Sequence, residues 1–253
     1  MVDSSSDNKI LGKLSSAGWI CDQRKEQWRK DGYMNCCGCK GQAYNPTDVE
    51  QKANIITHGI NIPFAVVAVY FMVIKSKDNL DLVCTLVYGT SLLMLFTVST
   101  LFHVISLLPK WRESRLRKIF HLCDRFSIYI FISASYMPWL LLQRTIPNAH
   151  DIVTLLWSIA AMGIVYSLVM HEKYKMLETA IYLCQGFGPA IFLIKHASTS
   201  LFELALGGLL YVIGVIFFKS DGHLPFAHAI WHILGSIAAW VHHYGIWMYF
   251  YAG

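Results

Sequence analysis

The 253-residue chain is 55% hydrophobic, 14% aromatic and only 15% charged, with a mean hydropathy of +0.43. Soluble domains carry about 25% charged residues, so these figures disfavour a water-soluble globule and exclude disorder, collagen and coiled coil. Seven cysteines, three of them crowded at Cys36, Cys37 and Cys39, argue against a secreted disulfide framework, and the net charge of +5 follows membrane topology rather than nucleic acid.

Residues 1–52 read as a polar cytoplasmic tail with eight Lys/Arg, seven Asp/Glu and no apolar run long enough for a signal peptide. Residues 53–253 read as a transmembrane domain. Uncharged apolar stretches run Ala53–Ile74, Leu82–Pro109, Phe126–Gln143, Ile152–Met170, Thr179–Ile194, Leu204–Phe218 and Leu224–Gly253. A bilayer crossing takes roughly 20 apolar residues, with a range of about 17–25. Five stretches reach that range unaided; the fifth and sixth reach it with Met176–Leu177 and Leu201–Phe202, which bring Glu178 and Glu203 near their ends. The predicted architecture is an all-α polytopic membrane protein with seven transmembrane helices. A soluble helix bundle would need polar faces that these stretches lack.

Lys and Arg in the loops set the orientation. The tail holds eight, the loop between helices 2 and 3 holds Lys110, Arg112, Arg115, Arg117 and Lys118, the next even loop Lys173 and Lys175, and the last Lys219. The opposite loops hold only Lys75, Lys77, Arg144 and Lys195. The N-terminus is therefore expected in the cytoplasm, with the basic residues against anionic lipid and no call for nucleic acid. That orientation is the reverse of a rhodopsin-type receptor. Asp124-Arg125-Phe126 looks like that family's Asp-Arg-aromatic triplet but opens the third helix, and the last helix has no Asn-Pro-x-x-Tyr.

Ionisable and metal-binding side chains inside a bilayer are costly, which makes each a functional candidate. Helix 2 carries Ser99 and His103 at i, i+4, helix 7 carries His228 and His232 with the same spacing, and helix 3 opens with His121 and Asp124 at i, i+3. Counted from the helix ends at about 1.5 Å per residue, His103, His228, His232 and Asp124 share one depth in the cytoplasmic half. Three imidazoles and a carboxylate at one level match a catalytic zinc site, with three protein ligands and an open position for water. There Asp124 is placed to accept a proton and Ser99 to donate to a developing oxyanion. The opposing reading makes them interhelical hydrogen-bonders, with Asp124 in an ion pair with its neighbour Arg125.

Weaker signals surround these. Glu50, Asn54 and His58 form a polar stripe into helix 1 that either lines the same cavity or is a solvated helix start. His243 lies about three turns beyond His232 and is expected in a separate polar contact. Gly186, Gly188, Gly207 and Gly208 are expected to permit close helix packing. The Cys36-Cys37-Gly38-Cys39 cluster, beside Arg24, Lys25, Arg29 and Lys30, reads as plain thiols, with acylation or zinc binding as alternatives.

Ser99-x-x-x-His103, Asp124 and His228-x-x-x-His232 resemble the progestin and adipoQ receptor family, which includes the adiponectin receptors and hemolysin III-type proteins. Longer strings resemble its monocyte-to-macrophage differentiation factor branch: Ala53–His58, Val98–His103, Cys123-Asp124-Arg125, Ser135–Trp139, His171–Lys175, Phe217–Gly222 and Pro225–His232. The likeness covers about residues 44–251. It implies seven helices with a cytoplasmic N-terminus, Zn2+ on His103, His228 and His232 near the cytoplasmic face, and Asp124 acting at the metal's water. Arg125 departs from the His typical of adiponectin receptors, and would hold Asp124 ionised or pair with lipid phosphate. Members of the wider superfamily hydrolyse lipid amides such as ceramide. The resemblance also implies Golgi or endolysosomal membranes, with the plasma membrane as the alternative.

The leading expectation is a receptor-like membrane protein with an intramembrane zinc site, acting in signalling or lipid homeostasis. Its expected partners are membrane lipids, with a sphingolipid or fatty acid in the helix bundle, and signalling proteins on the cytoplasmic side. A zinc-dependent lipid amide hydrolase, with Asp124 and Ser99 as catalytic residues, and a scaffold with structural zinc stand beside it. A transporter is disfavoured by the lack of an inverted repeat or paired broken helices.

Overall fold

A computed structural model describes residues 23–36, 44–170, 173–196 and 201–252 of the chain. Cys37 and Cys39, and His171 and Glu172 of the fifth string quoted above, lie outside the described residues. Among the described residues the fold is all-helical, with no strand.

A short helix over residues 23–30 precedes α1, Asp48–Gly59. A reciprocal cap starts α1: Thr47 Oγ1 accepts from the Glu50 N–H, and the Glu50 carboxylate accepts from the Thr47 N–H at 2.9 Å. Residues 48–52 are therefore helical although polar. Ile60 keeps helical dihedrals and its N–H reaches Ile56 O, so α1 passes almost unbroken into α2, Asn61–Lys75. Asp78 caps α3, Asn79–Leu107, by accepting from the N–H groups of Leu80 and Asp81.

Ser114 caps α4, Arg115–Met137, which widens into a π-helical turn over Pro138–Leu142, where proline removes a backbone donor. Then come α5, Ala149–Val169, and α6, Lys175–His196, which contains Pro189. The apolar α7 spans Leu201–Phe218. Finally α8, Ala227–Ile246, runs into a second π-helical turn over Trp247–Tyr251. Phe226, at φ 57, ends the preceding loop in a left-handed conformation, so α8 starts at Ala227 rather than at Leu224.

Among the described residues, five helical segments are long and apolar enough to cross a membrane: Asp48–Lys75, Asn79–Leu107, Arg115–Leu142, Ala149–Val169 and Lys175–Lys195. A shorter apolar helix covers Phe202–Phe218. The core runs along α3 and α4 through Tyr88, Leu92, Phe96, Phe131 and Trp139 to Leu204, Ala239 and Ile246. Large apolar side chains point outward instead, among them Phe64 on α2, Met162 on α5, Ile191 on α6 and Ile216 on α7. A soluble protein would have to expose such a belt to water; acyl chains can cover it. Of the four glycines expected at close contacts, Gly207 fits best, since a Cβ there would lie 2.5 Å from His242 Nε2. Gly186 and Gly188 have open space around them.

The helix order gathers basic loops at one end. Arg112 reaches from the α3–α4 connection to Asp48 at the start of α1, and Lys219 after α7 donates to the Lys175 carbonyl at the start of α6. At the other end Arg144 bridges to Asp78 at 2.8 Å.

Candidate metal centre

His103 sits in the last turns of α3, while His228 and His232 lie in the first two turns of α8. The three rings meet, with centroids 5.4 Å apart for His103–His228, 5.1 Å for His103–His232 and 4.6 Å for His228–His232. One ring nitrogen from each lies within 4.8 Å of the others. His103 and His232 are almost fully buried and His228 partly so.

Outer partners set which nitrogens face inward. Nδ1 of His103 lies 2.7 Å from Gln51 Oε1, and Nδ1 of His228 lies 3.2 Å from Asp221 Oδ2. Both partner atoms only accept, so each Nδ1 carries the proton. His103 and His228 are thereby held in the tautomer that turns Nε2 toward the centre. Nδ1 of His232 lies 3.2 Å from Thr57 Oγ1, a hydroxyl that can donate to it or accept from it. Nε2 of His103 is buried with no hydrogen-bond partner. An uncompensated lone pair costs about 1–3 kcal/mol, and a metal ion satisfies it. The donor set therefore fits a metal.

The other predicted residues fall around one cavity. It has a volume of about 1120 Å3 and is lined by the three histidines together with Ser99, Asp124, His58 and His121. Leu95, Phe131, Ile132 and Leu204 continue its wall into the apolar interior. Asp124 borders the centre without belonging to the converging set. Ser99 is buried beside Asp124, its Oγ without a hydrogen bond of ordinary geometry. His121 stacks on Phe102 at 4.9 Å.

Arg125 sends its guanidinium to Glu178 at 2.6 Å, in a pair that is largely buried. Glu178 also accepts from Ser167 at 2.7 Å, which ties α4, α5 and α6 together. The alternative reading pairs Arg125 with its neighbour Asp124; the guanidinium makes this cross-helix bridge. The separate polar contact expected of His243 is not what its ring makes: it stacks on Tyr88 at 6.1 Å, and its Nδ1 is buried without a hydrogen-bond partner.

The polar stripe of α1 is buried rather than meeting solvent, and its His58 lines the cavity. Glu50 is buried and joins three elements, accepting from Tyr44 OH at 2.7 Å, from Thr47 N–H and from the Phe226 N–H that opens α8. Burial and the Glu50 carboxylate push the Tyr44 phenol well above its ordinary pKa, so it stays a donor. Sequence reasoning passed over Gln51, Thr57 and Asp221. Asp221 stood in a quoted string without a role, and Gln51 and Thr57 flank the stripe that was noticed.

With this geometry in place, the chain was compared with known proteins. A family profile described as haemolysin-III related matches residues 48–243. The chain belongs to the haemolysin-III-related family. It is 44% identical over 223 residues to the monocyte to macrophage differentiation factor of Homo sapiens, covering 87% of this chain and 92% of that protein. It is 34% identical over 201 residues to the Hemolysin-3 homolog of Bacillus subtilis (strain 168), covering 75% of this chain and 90% of that one. Family and apolar helices together make it a multi-pass membrane protein. The resemblance to the progestin and adipoQ receptor and haemolysin III group, read from the histidine motifs, is borne out.

Proposed function

We propose that this haemolysin-III-related protein is receptor-like and acts in signalling or lipid homeostasis by hydrolysing a lipid amide at a zinc centre near the cytoplasmic face. The observation that carries the reading is a largely apolar cavity of about 1120 Å3 that ends on three converging imidazoles, two of them held by acceptors on Nδ1. An all-imidazole donor set suits zinc, and three protein ligands leave a position open. His103, His228 and His232 would hold the ion.

Zinc in such a site supplies a Lewis acid and lowers the pKa of water to about 7. The chain's own residues do the rest. Asp124 accepts the proton released as water attacks the amide carbonyl and returns it to the leaving nitrogen. Ser99 donates to the carbonyl oxygen as negative charge grows on it. Apolar residues such as Leu95 and Phe131 hold an acyl chain and keep bulk water away. A sphingolipid is the amide of this chemistry, and its fatty acid the product left in the bundle.

Seven crossings with a cytoplasmic N-terminus complete the reading. They are supported by the basic loops gathered at one end, and by α7 and α8 joining the five longer spans. Cytoplasmic signalling partners and a Golgi or endolysosomal membrane belong to the same proposal. The test is metal stoichiometry in detergent-purified protein, wild type beside His232→Ala, followed by fatty acid release from ceramide. About one zinc per chain, lost in the variant, with turnover that needs zinc, is the expected result. Well-folded wild type without metal overturns the reading. Zinc without turnover leaves the ion a tie between α3 and α8.

A further inference from the structure

His58, the member of the α1 stripe that lines the cavity, has no part in the chemistry described above, yet it sits against the centre. Its ring stacks on His232 with centroids 3.7 Å apart and planes 17° apart, and Phe96 meets it edge-on at 5.4 Å. The two contacts clamp the ring between a candidate metal ligand and the core. It is 7% exposed, it lines the large cavity, and its Nδ1 is buried with no hydrogen-bond partner. Stacked parallel to His232, it runs its nitrogens alongside that ring rather than toward the point where the other three converge, and it is absent from the converging set. A fourth metal ligand is therefore not its role. The protein offers its Nδ1 no partner, and an unsatisfied buried donor or acceptor costs about 1–3 kcal/mol.

Resting on the reading of a zinc-centred lipid amide site, we propose that His58 contacts the substrate, its imidazole donating a hydrogen bond to the carbonyl oxygen of the bound lipid. Ser99 on α3 and His58 on α1 then address the same oxygen from different helices. Two fixed donors in a dry, apolar site stabilise growing charge on that oxygen without reorganising. The clamp between His232 and Phe96 supplies the fixed orientation.

The experiment uses zinc-loaded full-length protein in lipid nanodiscs. The probe is 2-nonadecanone labelled with 13C at its carbonyl, a chain of lipid length with no bond to hydrolyse. Zinc content, binding affinity and the infrared carbonyl band are compared for wild type, His58→Phe and His58→Gln. At equal zinc content, His58→Phe is expected to bind about tenfold more weakly, the upper range for one neutral hydrogen bond. Its carbonyl band moves to higher wavenumber, and His58→Gln, which keeps a donor, restores both. His58→Leu replaces the Phe variant if that one does not fold. Equal affinity and band position in wild type and the apolar variant overturn the proposal. So does loss of zinc in every His58 variant, which would make the residue a support for the metal. A wild type that holds no zinc or does not bind the ketone brings down the parent reading instead.

Discussion

Gln51→Leu isolates the outer partner of one candidate ligand without touching the ligand. In the wild type the His103 Nδ1–H donates to Gln51 Oε1 at 2.7 Å, and both residues are almost fully buried, so water cannot replace the amide. Leucine of similar bulk leaves two outcomes. Either the Nδ1–H stays unsatisfied, at about 1–3 kcal/mol, or the proton moves to Nε2 and removes the lone pair that would bind metal. Loss of such a partner lowers metal affinity about 10–100-fold, or about 1.4–2.8 kcal/mol. Gln51→Glu keeps an acceptor and makes the bond charge-assisted, so it should match or exceed wild-type affinity. The assay is zinc competition against a chelator of known affinity, with purified protein and matched folded fractions. Leu binding within twofold of wild type, or Glu weakening zinc as much as Leu, would falsify the tautomer argument.

Asp124→Asn should retain zinc but lose about 10^2–10^4-fold of any amide turnover, read as fatty acid release, because the proton acceptor is gone. Chelation should lower the melting temperature: an ion at a hundredfold its dissociation constant adds about 2.7 kcal/mol to the folded state, and thermal scans with and without zinc report it. Arg125→Met should destabilise by about 3–5 kcal/mol in denaturation monitored by circular dichroism, because it removes the cation that faces the buried Glu178 carboxylate. Gly207→Ala should cost about 1–3 kcal/mol in the same measurement, since its Cβ would run into the His242 ring.

The crossings were legible because a membrane helix writes its whole length as an apolar run, which local composition reveals. Their starts were less legible. Asp48–Lys52 is polar, and only the Thr47–Glu50 cap explains why α1 begins there. Phe226 carries no composition signal for the left-handed turn that delays α8, so His228 is its second residue, shallower than counting from Leu224 implied. The three candidate ligands were legible from i, i+4 spacing, which is a property of one helix. Gln51 meets His103 across 52 residues of chain and Arg125 meets Glu178 across 53, and no local pattern encodes contacts that packing creates.

The stripe of α1 explains why so polar a segment opens the first span. Glu50, Gln51, Asn54, Thr57 and His58 recur with the helical period and so share one side of α1. Facing lipid, such a side would be prohibitive. Facing the centre, it reaches both helices that carry the candidate ligands: Gln51 fixes His103 on α3, Thr57 meets His232 on α8, and Glu50 caps the backbone that opens α8. If the stripe exists to orient those imidazoles, its effect on metal binding must vanish when the imidazole it orients is gone. Gln51→Leu placed on His103→Ala should then cost no further zinc affinity, although each change alone weakens it. A double-mutant cycle on zinc competition reads that coupling directly. Additive losses would mean that Gln51 acts on the fold at large, and α1 would be a scaffold rather than part of the centre.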